Sequence, residues 1–118
     1  MKILLTGGTG YIASHTALVL AEAGHEVILY DNLSNSNLSV VDRLVTITGQ
    51  NYIFIRGDVR DTELLSRTLK QYNIDAVIHF AGLKALGESI EKPIDYYDNN
   101  ICGTISLLQS MQASNVKN

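Results

Sequence analysis

Four short apolar runs recur along the chain: Ile3-Leu4-Leu5-Thr6, Val27-Ile28-Leu29-Tyr30, Tyr52-Ile53-Phe54-Ile55 and Ala76-Val77-Ile78-His79-Phe80. Each has the length of a β-strand and is rich in β-branched or other apolar residues. None alternates strictly between apolar and polar, which is the pattern of a parallel sheet covered on both faces. Helical spacing fills the intervals. Ile12, Thr16, Val19 and Ala23 follow steps of three and four and predict the stripe of a first crossover helix. Gly24 stops that helix in the place glycine takes after a C-terminus. Val40, Val41 and Leu44 predict a second, shorter helix, and Asp61 is placed to cap a third that turns Leu64, Leu65 and Leu69 to the sheet. After Phe80 a longer loop leads to Pro93, suited to the first turn of a last helix. Ile94, Tyr97, Ile101, Leu108 and Met111 are its expected buried stripe, and Gly103 within it predicts a close backbone approach or a partner helix.

Strands alternating with helices predict an α/β fold, a doubly wound parallel sheet of four strands. A βαβαβαβα order lacks the second half that such a sheet normally carries, so residues 1–118 are expected to be the N-terminal part of one domain. With 118 residues and 46% hydrophobic content the chain can bury one core, and it has no repeat or proline-rich linker. A net charge of -3 offers no basic surface for nucleic acid. No apolar run approaches the roughly 20 residues that span a bilayer. Cys102 is the only cysteine, so no internal disulfide can form, and a cytoplasmic location is expected. That cysteine is read as a small buried hydrophobe.

The chemistry concentrates after the first strand, in Thr6-Gly7-Gly8-Thr9-Gly10-Tyr11-Ile12-Ala13. Read from Gly8 this fits G-x-G-x-x-A at a strand-to-helix turn, where glycines let the backbone approach a pyrophosphate. The amides of the following helix N-terminus then face the anion. By itself such a triplet is weak evidence and reads first as a tight strand-to-helix turn. Asp31 adds the second element: it closes the second strand about 20 residues on, where a carboxylate accepts hydrogen bonds from ribose hydroxyls. Its charge repels a 2′-phosphate, and no Arg or Lys occurs from Asn32 through Ser39, so NAD is expected over NADP. No Gly-Lys-Ser/Thr follows the glycines, which excludes a Walker-type loop. His79 is read as a satisfied core residue, His15 as bonded on the first helix and His25 as a turn residue. No His/Cys cluster has ligand spacing, and no metal is expected.

The glycine-rich turn with Ser14-His15 resembles the opening of the extended short-chain dehydrogenase/reductases, a Rossmann-like NAD-binding family. Asp31-Asn32-Leu33-Ser34-Asn35-Ser36, Gly57-Asp58-Val59, Phe80-Ala81-Gly82-Leu83-Lys84 and Tyr96-Tyr97-Asp98-Asn99-Asn100 resemble its UDP-hexose 4-epimerase branch along the whole chain. The resemblance implies interconversion of UDP-glucose and UDP-galactose through transient oxidation at C4, with this segment supplying the NAD cradle. Sibling nucleotide-sugar dehydratases or decarboxylases, and a non-catalytic NAD-binding module, are the alternatives; the Phe80–Lys84 stretch argues against the siblings. Gly7, Gly10, Tyr11 and Ile12 would meet the pyrophosphate, and Asp31, Asn32, Leu33, Ser34, Asn35 and Ser36 the adenosine. Asp58 and Val59 would border the adenine, Phe80, Ala81, Gly82, Leu83 and Lys84 would run beside the cofactor, and Asn99 would complete the pocket. The family's catalytic tyrosine, four residues before a lysine, has no counterpart here, so no catalytic residue is assigned and the chain alone is expected to be inactive. The implied parent is a homodimer packed through helices that include the counterpart of residues 94–114. Ala13 departs from the family's third glycine, and its methyl is expected to loosen packing there and weaken NAD binding.

Overall fold

The computed structural model describes residues 1–83 and 86–118. Four strands, β1 (Lys2–Thr6), β2 (Glu26–Asp31), β3 (Ile53–Arg56) and β4 (Ala76–His79), form one sheet in the order β3-β2-β1-β4. All pairings are parallel, with Leu4 opposite Ile28 and Val77, and Leu29 opposite Phe54. Each strand is followed by helix: α1 (Tyr11–Glu22), α2 (Ser39–Thr48), α3 (Thr62–Gln71), then α4 (Leu86–Glu91) and α5 (Pro93–Tyr97). A π-helical segment, Asp98–Cys102, leads into α6 (Gly103–Ala113). The predicted α/β doubly wound, Rossmann-like architecture is present.

Period-two side-chain direction sorts the core into two faces. Ile3, Leu5, Val27 and Leu29 pack with Ala17 of α1 and Leu44 of α2. Leu4, Ile28 and Tyr30 pack with Leu65 and Leu69 of α3 and Leu107 of α6. Both faces are thus covered, which is why the strands read as near-continuous apolar runs. The cap on α3 is as expected: Leu64 N donates to Asp61 Oδ1 at 3.1 Å. At one edge of the sheet, Val77 N of β4 donates to the Asn118 carbonyl at 2.9 Å.

Two predicted helix faces are overturned. On α1 the buried residues are Ala13, Ala17 and Ala21, while Ile12 and Val19 stay 57% and 62% exposed. Small side chains let the helix axis approach the sheet, and the large apolar residues point outward. The last helix repeats the pattern. Gly103, Ser106, Leu107 and Ser110 are buried, whereas Ile94, Tyr97, Ile101 and Leu108 are exposed and only Met111 of the predicted stripe packs against the core. Here α6 docks on α3 through a polar seam: Thr62 and Ser106 hydroxyls lie 2.7 Å apart, and Ser110 Oγ donates to the Thr62 carbonyl at 3.2 Å. Cys102 is exposed rather than buried, because it lies on the outer side of the π-helical segment. His79 keeps partners, with Nδ1 2.6 Å from Thr6 Oγ1, but is exposed at the β4 edge rather than in the core.

Gly103 is closely approached, though by a side chain rather than by backbone: a Cβ there would lie 2.7 Å from Val59 Cγ2. Val59 is itself buried, so the methyl must displace a core side chain. Gly103→Ala is therefore expected to destabilise the fold by about 1–3 kcal/mol, the cost of overpacking. Chemical denaturation measures this, and an unchanged midpoint would show that the seam yields.

Candidate functional site

Strand order reverses at β1: the chain runs outward through β2 and β3, then crosses back to place β4 on the other side. A cleft opens at such a reversal, beyond the carboxyl ends of the strands. It is open to solvent, spans about 560 Å³ with that solvent counted, and collects the turns after all four strands. Gly7 and Gly10 follow β1, Asp31, Asn32, Ser34, Asn35 and Ser36 follow β2, Gly57 and Val59 follow β3, and Phe80, Ala81, Gly82 and Leu83 follow β4. Asn99 reaches in from the π-helical segment.

The floor is set by Gly7, with φ +65°. A Cβ on it would fall 2.7 Å from the Ala81 backbone nitrogen, so only glycine lets the β1 and β4 turns meet. The contact is tied by Phe80 N donating to the Thr6 carbonyl at 3.0 Å. Gly10 is the N-cap of α1 and supplies no side-chain cap, and the first turn carries no acidic residue. The first amides of α1, including those of Tyr11 and Ile12, have no acceptor within the helix. They form an open, partly positive terminus facing the cleft. By contrast, α3 has its terminus closed by Asp61.

Asp31 is buried at the end of β2. Its Oδ2 accepts from Thr9 N at 3.2 Å and its Oδ1 from Leu33 N at 2.8 Å. The second bond holds Leu33 at φ 61°, a conformation bulky residues rarely adopt. It bends the 32–36 loop back over the glycine turn, where Ser36 Oγ meets Thr9 Oγ1 at 2.5 Å. Among the described residues lining the cleft there is no Lys or Arg. The positive partial charge available there is that of backbone amides, and Asp31 is the buried carboxylate of the lining.

The structure thus brings most predicted site residues to one cleft and separates a few. Tyr11, Ile12, Leu33 and Asp58 do not line it. Tyr11 and Ile12 side chains project outward, leaving only their backbone to face an anion, and the Tyr11 ring packs edge-on against His15. Asp58 is turned toward Arg60, which donates through Nε at 2.9 Å and through its terminal nitrogen at 2.8 Å, while Asn32 Nδ2 donates at 3.3 Å. Lys84 lies outside the described residues. Sequence reasoning missed Tyr30 and Gly57. Tyr30 read as core, which it also is, but its hydroxyl donates to the Asp58 carbonyl at 2.8 Å beneath the cleft. Burial, reinforced by the Asp61 and Asp58 charges, pushes its ionisation well above the ordinary range and keeps it a donor. The signal for Gly57 was present in Gly57-Asp58-Val59: a Cβ would meet Tyr30 Oη at 2.5 Å.

Fold and cleft define an α/β protein of the Rossmann class with a ligand crevice at its strand-order reversal. The chain belongs to the family described as GDP-mannose 4,6 dehydratase, whose model matches residues 4–118, and within it to the UDP-glucose 4-epimerases. It is 52% identical over 115 residues to the UDP-glucose 4-epimerase of Neisseria meningitidis serogroup B, covering 98% of this chain and 34% of that protein. A Klebsiella pneumoniae UDP-glucose 4-epimerase is 49% identical over 118 residues, covering all of this chain and 85% of the relative. The chain thus spans about a third of the length of the Neisseria relatives. A Stenotrophomonas maltophila UDP-glucose-4-epimerase crystallised with NAD and formylated UDP-arabinopyranose superposes with TM-score 0.98 and 45% identity, over 99% of this chain and 35% of that one. The Bifidobacterium longum enzyme, in complex with NAD+ and UDP, gives 0.97 and 50% over the same shares.

The Arg60 hydrogen bonds hold the Asp58 carboxyl down at about 2, against an ordinary 3.8, with burial opposing them. A depressed carboxyl contributes stability fully above its unfolded value and loses it as pH falls through its folded value. The stability difference between the wild-type chain and Asp58→Asn should hold steady above pH 5 and shrink between about pH 4 and about pH 2. Thermal melts at stepped pH read this. A difference that ignores pH across that window would show that the carboxylate charge contributes nothing.

Proposed function

We propose that the cleft is an NAD cradle, and that the full-length protein interconverts UDP-glucose and UDP-galactose by transient oxidation at C4. One conjunction carries the reading: an uncapped helix terminus and a buried Asp31 face the same crevice across a turn that only Gly7 permits. Crystallised relatives that hold NAD, together with UDP or a UDP-sugar, support it.

In this reading the backbone of Gly7, Gly10, Tyr11 and Ile12 receives the pyrophosphate, where the α1 dipole favours negative charge. Asp31 accepts from the adenosine ribose hydroxyls, with Asn32, Leu33, Ser34, Asn35 and Ser36 forming the wall beside them. Asp58 and Val59 border the adenine. Phe80, Ala81, Gly82, Leu83 and Lys84 flank the nicotinamide half, and Asn99 closes that side. NAD would supply a reversible hydride acceptor, and these residues bind it, orient it and exclude water. No residue of this chain is assigned to proton transfer, so the chain alone is inactive as an epimerase. The cytoplasm is the proposed location, in keeping with a chain whose only cysteine can form no internal disulfide.

Titration with NAD+ by calorimetry tests the cradle. Asp31→Ala should weaken NAD+ binding about tenfold or more, the loss of hydrogen bonds to a charged group, and reduce discrimination against NADP+. Ala13→Gly should bind more tightly than the wild-type chain, since it removes the methyl from the α1 contact. Tighter NADP+ than NAD+ binding by the wild-type chain would overturn the assignment of Asp31.

We further propose that the full-length protein is a homodimer through the outward stripe of Ile94, Tyr97, Ile101, Ile105 and Leu108, each about half exposed or more. Contiguous exposed apolar residues of this extent mark an interface, and a two-fold axis pairs the same stripe with itself. Ile101→Glu should convert the dimer to monomer by light scattering. A wild-type protein that is already monomeric would refute the interface.

A further inference from the structure

Arg60 was singled out by nothing in the sequence, yet all three of its guanidinium nitrogens are engaged. Nε and one terminal nitrogen donate to the two oxygens of Asp58 at 2.9 and 2.8 Å, and the other terminal nitrogen donates to Asp98. Asp98 is the first residue of the π-helical segment. Two residues on, Asn100 grips the β4 turn from both sides: its Oδ1 accepts from Leu83 N at 2.8 Å and its Nδ2 donates to the Leu83 carbonyl at 2.9 Å. Asn99 Nδ2 donates to the same Asn100 oxygen at 3.1 Å. On the far side, Asp58 is bonded to Asn32 at the start of the β2 loop. A polar chain therefore runs Asn32–Asp58–Arg60–Asp98, and the backbone of the π-helical segment carries it two residues on to Asn100 and its bonds to Leu83. Its two ends line opposite walls of the cleft.

We propose that Arg60 is a positioning residue that locks the π-helical segment, and through Asn100 the 80–83 turn, against the adenosine-side wall. It rests on the reading of the cleft as an NAD cradle only for its consequence in binding. The chemistry requires arginine: a planar fork can satisfy one carboxylate with two donors and still present a third to another. Lysine carries the same charge as a point and cannot span both. Arg60 and Asp98 side chains are 43% and 50% exposed, so the link adds little to global stability. Its effect is local, on a segment with short, irregular helices and few buried side chains. A π-helical turn at this point agrees with the tendency of such turns to mark functional sites.

The test compares wild-type, Arg60→Gln, Arg60→Lys and Asp98→Asn chains by amide hydrogen exchange and NAD+ titration. Exchange at Leu83 should accelerate about three- to fivefold in all three variants, the upper end of what an exposed charge pair contributes, with β1 and β2 amides unchanged. The NAD+ dissociation constant should rise by a similar factor, with little change in the melting temperature. Rescue by Arg60→Lys to wild-type exchange would overturn the forked geometry. Unchanged Leu83 exchange in Arg60→Gln and Asp98→Asn would overturn the lock itself. Accelerated exchange with undiminished NAD+ affinity would overturn the role in binding. If the wild-type chain binds no NAD+, the cradle reading fails, while the exchange arm, which needs no cofactor, still decides the lock.

Discussion

The peptide after β1 and the peptide after β4 touch at Gly7 and Ala81, where there is no space for a single methyl carbon. The whole carboxyl end of the sheet is organised by that contact. Because the strand order reverses there, the two turns diverge from it and leave a crevice rather than a packed layer. The same approach aims the α1 terminus into the crevice and sets Phe80 through Leu83 as its opposite wall. A larger residue at position 7 would clash with backbone, which unlike a side chain has no rotamer to give way.

Charge in the cleft is arranged by subtraction. Two carboxylates, Asp31 and Asp58, stand near a site proposed to hold a doubly anionic pyrophosphate, and no described lining residue is cationic. Each is nonetheless constrained. Asp58 is paired with Arg60, while Asp31 accepts from two backbone amides, those of Thr9 and Leu33. The open α1 terminus places positive partial charge at the glycine turn.

How much was legible in the sequence depended on the length scale of the signal. Strands were legible because burial on both faces leaves an unmistakable apolar run. Asp31 and the glycine turn were legible because their separation is a property of one βαβ unit, and Asn99 or Phe80–Leu83 only through family resemblance. Helix faces misled for one reason in both cases. Large apolar residues at helical spacing, Ile12 and Val19 or Ile94, Tyr97, Ile101 and Leu108, are what a periodicity argument tracks. The faces that pack are made of Ala13, Ala17 and Ala21, and of Gly103, Ser106 and Ser110, whose value is smallness and which carry no hydrophobic signal. Arg60 was invisible because its partners, Asp58 and Asp98, lie 2 and 38 residues away and meet only in the fold.

The π-helical segment explains how one helical arm serves three surfaces at once. A residue beyond the α-helical repeat rotates the downstream helix by about 100° relative to the upstream one. Before the segment, α5 turns Ile94 and Tyr97 outward; within it, Asn99 and Asn100 turn toward the cleft; after it, Gly103, Ser106 and Ser110 meet α3 and Val59. An uninterrupted α-helix through 98–102 would carry either the asparagines or the packing seam off its target. The wider turn keeps both, and the proposed Arg60–Asp98 tie acts on it at a place where a surface ion pair otherwise contributes little to global stability.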